Sequence, residues 1–256
     1  MPEIPDIEVF SSNVRAKFGG KEISKVVVVN GKKLKDTQDE LSQHLEGNIL
    51  TDVYRSGKEF RLVLSNGITL GMHLMLTGDL FPFEKKNENK FTIVEFHFAN
   101  GTGLALTDRM RNANIKLHPE DKEGVDALSP DLNAKYLKQI FNRKASIKNV
   151  LLDQNLIRGI GNGYSDDILW AARISPFSTA NAIPDNKIKI LANAIRKVLT
   201  EATHKINEAH PGLITGEAKE FLLVHRQKQS PTGAPVKIER NGSRKTYYTD
   251  EQKLYS

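Results

Sequence analysis

The chain has 256 residues, 39% of them hydrophobic and 27% charged. That is enough apolar material for one large domain or two ordinary ones, and too much for wholesale disorder. Lysine and arginine number 37 against 31 acids, a formal net charge of +6, which suits a polyanionic partner. There is no cysteine, so disulfides, a catalytic thiol and a thiolate zinc site are excluded, and a reducing cytoplasm is the expected compartment. No apolar run approaches the roughly 20 residues of a membrane helix, and the N-terminus lacks the basic flank and apolar core of a signal peptide, so no membrane association is expected.

Residues 4–18 place Ile4, Ile7, Phe10, Val14 and Phe18 three or four apart, which predicts an amphipathic helix ended by Gly19-Gly20. It begins almost at the first residue, so the terminus is expected to be held by structure. Short segments rich in β-branched and aromatic residues follow at 25–29, 52–54, 60–64, 69–76 and 91–98, with Asn30-Gly31, Asn66-Gly67 and Asn100-Gly101 as hairpin signals. One helix plus many hairpins predicts an antiparallel sandwich or barrel. Pro119 to Pro130 is polar and reads as a linker. Helices are predicted at 131–143, 146–154, 163–172 and 186–210, the last with Ile188, Leu191, Ile195, Val198 and Leu199 on one face. The tail from Phe221 to Ser256 is strand-like, with turns at Thr232-Gly233 and Asn241-Gly242. Residues 226–245 hold Arg226, Lys228, Lys237, Arg240, Arg244 and Lys245 against Glu239 alone, a local charge of +5. On charge alone this is a solvated turn or a polyanion-binding hairpin.

Three segments could carry chemistry. In Met1-Pro2-Glu3-Ile4-Pro5-Asp6 the small Pro2 normally permits removal of Met1, leaving a prolyl amine beside a carboxylate at a helix start. A terminal amine has a reference pKa of about 7.7–8.0, so part of it is neutral and nucleophilic at neutral pH. A secondary amine that attacks electrophilic carbon goes directly to an iminium. The same residues also serve as ordinary helix-start signals. In Leu156 to Tyr164 the glycines at 159, 161 and 163 let backbone approach a ligand closely, and the helix start that follows offers amides to a phosphate. Finally, Lys58 at a strand start and His73 in His73-Leu74-Met75-Leu76-Thr77-Gly78 could both meet phosphate, or could be an exposed lysine and a satisfied histidine.

Together these segments resemble the formamidopyrimidine-DNA glycosylase / endonuclease VIII family of base-excision repair enzymes, over nearly the whole chain. That family opens with Pro-Glu-Leu-Pro-Glu-Val-Glu, and Pro2 to Glu8 reads PEIPDIE. The family's Leu-Leu-Asp-Gln followed by Gly-Ile-Gly-Asn-x-Tyr stands here as Leu151 to Gln154 and Gly159 to Tyr164, and Ser175-Pro176 also fits. The resemblance implies that Pro2 attacks C1′ of a damaged nucleotide, Glu3 acts as acid and base around the sugar, and the iminium supports β- and then δ-elimination. It implies phosphate contacts for Lys58, His73 and Asn162. Flipping the nucleotide costs a few kcal/mol, which wedge residues partly offset.

The departures are informative. The four finger positions that carry zinc-binding cysteines in the family become Ser230, Gly233, Thr249 and Gln252, so no metal is expected. The scaffold around them persists, so the resemblance implies a zincless finger, packed by Val236, Ile238, Tyr247 and Tyr248. In it Arg244 clamps the phosphates about the flipped nucleotide and Lys245 adds a DNA contact. Asp6 replaces a glutamate. The gap-filling methionine falls on Leu76, and the Arg-Arg-Phe-Gly segment falls on Met110, Arg111, Asn112 and Ala113. Met110 and Asn112 thus take wedge positions, with Arg111 beside them as a DNA contact.

The expectation is an α+β chain with an N-terminal helix and antiparallel β-sandwich catalytic domain at 1–119 and a linker at 120–130. A helical helix-two-turns-helix DNA-binding domain follows at 131–220, and a zincless β-hairpin finger at 221–256. The expected activity is a bifunctional DNA glycosylase/AP lyase on oxidised bases, 8-oxoguanine and formamidopyrimidines ranked ahead of pyrimidines. It would act as a monomer on double-stranded DNA, without cofactor. The alternative is a catalytically silent damaged- or structured-DNA binding protein on the same fold.

Overall fold

The computed structural model describes residues 1–241 and 244–256. The chain divides into two compact units, one of residues 1–121 and 207–217, the other of residues 122–206 and 218–256.

The first unit opens with helix α1 (Ile4–Phe18), which buries Ile4, Ile7, Phe10, Val14 and Phe18. The face predicted from spacing is the buried one. Strands β1 (Ile23–Val28), β2 (Leu50–Ser56), β3 (Glu59–Leu64), β4 (Thr69–His73), β5 (Gly78–Glu84), β6 (Thr92–Phe98), β7 (Thr102–Asp108) and β8 (Asn114–Leu117) follow. They form two antiparallel four-stranded sheets, ordered β1-β6-β7-β5 and β2-β3-β4-β8. Helix α1 packs on β2 and β3, while Phe18 stacks on Phe98 of β6 with ring centroids 4.8 Å apart, so this helix touches both sheets. Asn66-Gly67 and Asn100-Gly101 do turn hairpins, β3 into β4 and β6 into β7.

Other expectations shift. Asn30-Gly31 closes no hairpin, because β1 pairs with the distant β6 and the chain runs on into helix α2 (Gln38–Leu45). That helix was legible in Thr37-x-x-Glu40: the Thr37 hydroxyl accepts the Glu40 N–H and the Glu40 carboxylate accepts the Thr37 N–H. The strand read as 69–76 stops at His73, because residues 74–77 turn, with Met75 at φ 56°.

The second unit contains helices α3 (Ala134–Ile140), α4 (Ile147–Leu152), α5 (Asn162–Ala171) and all but the last three residues of α6 (Asp185–Ala209). Asn133 and Ser146 cap α3 and α4 with their side-chain oxygens. Leu137, Phe141, Ile147, Leu151, Ile168, Leu169, Leu191, Ile195 and Leu199 are all buried. The stretch read as a linker carries strand β9 (Val125–Asp126), which pairs in parallel with β10 (Ile157–Arg158). Strands β11 (Lys237–Asn241) and β12 (Arg244–Tyr248) form an antiparallel hairpin. The expected Asn241-Gly242 turn extends outside the described residues. The expected packing of this hairpin is partly corrected: Tyr247 is buried, but Ile238 is 55% exposed, because β11 is an edge strand that pairs with β12 alone among the described residues.

Candidate DNA-processing site

The first unit carries one group of the sequence-predicted residues. Pro2 and Glu3 are buried at the start of α1. Glu3 is the N-cap, and its N–H donates to Asp6 Oδ2 at 3.0 Å, so the aspartate that departs from the family pattern still caps the helix. The amine of Met1 pairs with the Glu217 carboxylate. Lys58 is half-buried on the β2–β3 turn, where Gly57 takes φ 60°. Arg55 fixes this turn from both sides: its Nε donates to Glu8 of α1 at 2.7 Å and its guanidinium donates to the Gly57 carbonyl at 2.9 Å.

His73 ends β4, with Asn114 of β8 opposite. Its Nδ1 accepts the Met75 N–H at 2.8 Å, which puts the neutral ring's proton on Nε2 as a donor. The turn behind it needs Gly78, whose N–H bonds to the Leu74 carbonyl at 2.9 Å; a Cβ there would stand 2.1 Å from that oxygen. The turn leaves Leu76 57% exposed.

The loop after β7 presents Met110, 50% exposed, and Arg111 at φ 54°. Asn112 accepts a hydrogen bond from Lys33. Sequence reasoning passed over the residue that organises this loop. Asp108 is buried, and its carboxylate accepts the Met110 N–H at 2.9 Å, the Asn112 N–H at 2.6 Å, the Ala113 N–H at 2.7 Å and the Thr77 hydroxyl. Burial opposes ionisation, but these four donors outweigh it and hold the Asp108 carboxyl below its ordinary value.

The second unit carries another group. Between α4 and α5 the chain makes two turns, stitched by Gln154. Its Nε2 donates to the carbonyls of Leu152 at 3.0 Å and Ile160 at 2.9 Å, and its Oε1 accepts the Gly159 N–H at 2.8 Å. Gly159 sits at φ 102°, a conformation a side chain would strain. Asn162 opens α5, and its Nδ2 donates to the Lys245 carbonyl at 3.0 Å. The helix pair is thereby joined to β12, where Arg244 and Lys245 are exposed.

A buried charge network, also passed over in the sequence, reinforces that join. Asp166 of α5 is fully buried and accepts Lys148 Nζ of α4 at 2.6 Å, His225 Nδ1 at 2.7 Å and the Tyr247 N–H at 3.1 Å. Lys148 also reaches the Thr246 hydroxyl at 2.9 Å. Asp167 next to it accepts the N–H groups of Leu223, Val224 and His225 at 2.7, 2.9 and 3.0 Å. Neither pair of positions stands out in the sequence, since the partners lie far apart along the chain.

Residues 1–115 match the formamidopyrimidine-DNA glycosylase N-terminal domain, and residues 124–210 match the H2TH domain of the same proteins. The formamidopyrimidine-DNA glycosylase of Pelotomaculum thermopropionicum is 31% identical over 97% of this chain and 97% of its own length. That of Mycoplasma genitalium is 30% identical over 90% of this chain and 87% of its own. A solved structure of the Lactococcus lactis formamidopyrimidine-DNA glycosylase, bound to DNA containing an abasic site, has a TM-score of 0.86 at 21% identity, covering 98% of this chain and 99% of that one. Among the described residues no helix is long and apolar enough to cross a membrane.

Proposed function

Since the chain belongs to the formamidopyrimidine-DNA glycosylase family, we propose that it is a bifunctional DNA glycosylase and AP lyase that removes oxidised bases from duplex DNA. The observation that carries this reading is the Pro2-Glu3 pair, buried at the start of α1. Once Met1 is removed, Pro2 supplies a secondary amine. Its lone pair forms a bond to C1′ of the damaged nucleotide, and the glycosidic bond breaks toward the base, which leaves with that electron pair and gains a proton. The prolyl nitrogen loses its proton, and Glu3 delivers a proton to O4′ as the C1′–O4′ bond breaks, which opens the sugar to the C1′ iminium. The resulting iminium acidifies C2′; loss of that proton breaks the C3′–O bond. Loss of a further proton from C4′ breaks the C5′–O bond, which completes β,δ-elimination.

Lys58 and His73 hold phosphates from the first unit, the latter through the Nε2 donor that the Met75 N–H leaves protonated. Leu76, Met110 and Asn112 act at the gap in the stack, with Arg111 beside them. Asn162, Arg244 and Lys245 hold phosphates from the second unit; Arg244 can form a bidentate fork. No cofactor enters these steps, and one chain acts alone. Formamidopyrimidines and 8-oxoguanine rank ahead of oxidised pyrimidines in this reading; the names of the relatives support formamidopyrimidines.

The test mixes protein of verified intact mass, lacking Met1, with duplexes carrying 8-oxoguanine, an oxidised pyrimidine or an abasic site, and adds borohydride. A covalent adduct that is lost in Pro2→Gly is the expected result. Absence of an adduct with every duplex, with tight binding retained, would replace this reading by that of a silent damaged-DNA binding protein.

A further inference from the structure

The two turns at the foot of the β11–β12 hairpin, and the end of helix α5, converge on one carboxylate. Glu251 Oε2 accepts the Trp170 indole N–H at 2.9 Å and the hydroxyls of Ser230 and Thr249, each at 3.1 Å. Its Oε1 accepts the Thr232 hydroxyl at 2.8 Å and lies 2.7 Å from the Arg173 guanidinium. Ser230 and Thr232 belong to the turn before β11, Thr249 and Glu251 to the turn after β12, and Trp170 and Arg173 to the C-terminal end of α5 and the residues just beyond it. Gln252 completes the second turn: its Oε1 accepts the Thr249 N–H at 2.9 Å and its Nε2 donates to the Ile174 carbonyl at 2.8 Å.

Ser230, Gly233, Thr249 and Gln252 are the four positions where the resemblance places zinc-binding cysteines. Their donor set does not fit zinc. A neutral hydroxyl is a poor zinc ligand, glycine has no side chain and an amide is a weak donor. The three of the four that have side chains are instead engaged with one another's turns or with Glu251. A zinc finger ties two turns through anions around a central cation. Here the sign is inverted, with neutral donors and one guanidinium around a central anion.

We propose that the Glu251 carboxylate takes over the cross-linking task of the metal, fastening both finger turns to α5 and so setting the hairpin that carries Arg244. The Trp170 N–H contributes most to keeping this group ionised; with the three hydroxyls it outweighs desolvation and holds the carboxyl near a pKa of about 2. The hairpin is also held where the Tyr247 N–H meets Asp166 and where Asn162 Nδ2 meets the Lys245 carbonyl, and its direction from α5 is fixed by these bonds together with Glu251. Glu251 is thus a positioning residue. Its effect on DNA rests on the function proposed above; the cross-link itself does not.

The test is amide hydrogen exchange on the full chain, with the metal content measured alongside. Glu251→Gln keeps the shape and removes the charge, replacing one acceptor oxygen by a donor that faces donors. We expect exchange in segments 230–234 and 244–252 to accelerate about tenfold or more, the scale of a lost charged hydrogen bond. Exchange in the middle of α6 should stay unchanged, and EDTA or added zinc should alter neither protein. Glu251→Asp, with the charge kept on a shorter arm, should recover part of the protection. Wild-type exchange in Glu251→Gln, or one zinc per chain in the purified protein, would overturn the proposal. Should Glu251→Gln fail to fold, Thr232→Val removes a single donor from an exposed side chain; unchanged exchange of the 230–234 turn in that variant would equally overturn it. A protein without glycosylase activity that passes these tests would refute the proposed function and leave the cross-link standing.

Discussion

The Thr77 hydroxyl donates to the Asp108 carboxylate, and that one bond ties together the two loops from which Leu76 and Met110 project. A gap in a base stack is an apolar site that such exposed apolar side chains fit. Asp108 gives both loops a common anchor. The three backbone N–H groups it accepts also set the conformation in which Arg111 takes its positive φ.

Asp108→Asn therefore damages both loops at once. Oδ2 accepts two N–H groups, from Asn112 and Ala113, so an amide placed there leaves a donor facing donors. The expected loss of stability is about 1–3 kcal/mol, seen as a lower urea midpoint, with weaker binding to an abasic-site duplex. Because the folded carboxyl is depressed, its contribution is present above the ordinary carboxylate pKa and fades as pH falls. The gap between wild type and variant should narrow in acid; a gap that widens there would rule out this role.

Leu76→Ala and Met110→Ala separate function from stability. Both side chains are half exposed or more, so each change should move unfolding by no more than about 0.5 kcal/mol. If they fill the space left by a flipped nucleotide, excision from a lesion duplex should fall about tenfold, since unstacking costs a few kcal/mol that these residues partly offset. Single-turnover excision beside thermal melting decides it. Equal loss in both readouts would show that the side chains serve the fold.

Local signals in the sequence were sufficient for α1, for the β3–β4 hairpin, for β6 with its Asn100-Gly101 turn and for the helix pair around Gly159, because each depends on residues three to five apart, whereas β7 (Thr102–Asp108) was not among the strands expected. The Pro2-Glu3 pair and the Gly-rich turns were legible for the same reason. The anchors were not. Asp108 looks like any strand-end aspartate until its four donors are assembled, and Lys148, Asp166 and His225 span 78 positions, with bonds at separations of 18 and 59. Glu251 was hidden for another reason: it is none of the four positions that carry cysteine in the family, but stands between two of them, Thr249 and Gln252. Ile238 was assigned to packing by its residue type, and its exposure reflects a hairpin held by polar bonds at its foot.

Lys148→Met tests the buried network. Lys148 and Asp166 are almost wholly removed from water and 2.6 Å apart. Deleting the ammonium leaves a buried carboxylate with His225 and one backbone N–H, a loss of about 3–5 kcal/mol. The β12 strand should loosen as well, since Lys148 also donates to Thr246. Urea unfolding measures the first effect and amide exchange of Thr246 and Tyr247 the second. A variant within about 1 kcal/mol of wild type would mean that the pair contributes no net stability.

Asp167 predicts the direction of the neutral-pH profile. Burial pushes its carboxyl up from 3.8 to about 6, against the pull of three backbone N–H groups and with help from the neighbouring Asp166. Between these values the folded chain binds a proton that the unfolded chain has released. The stabilisation is fully present below about pH 4 and is lost as pH rises through 6, on the order of 3 kcal/mol in total. Glu251, held near 2, does not titrate in that window. Wild type should therefore lose stability from pH 5 to pH 7.5, measured by urea unfolding at each pH. Asp167→Asn is less stable at pH 5, because its amide must face one of the N–H donors, but it should lack that part of the slope. An identical slope in the variant would show that Asp167 is ionised throughout.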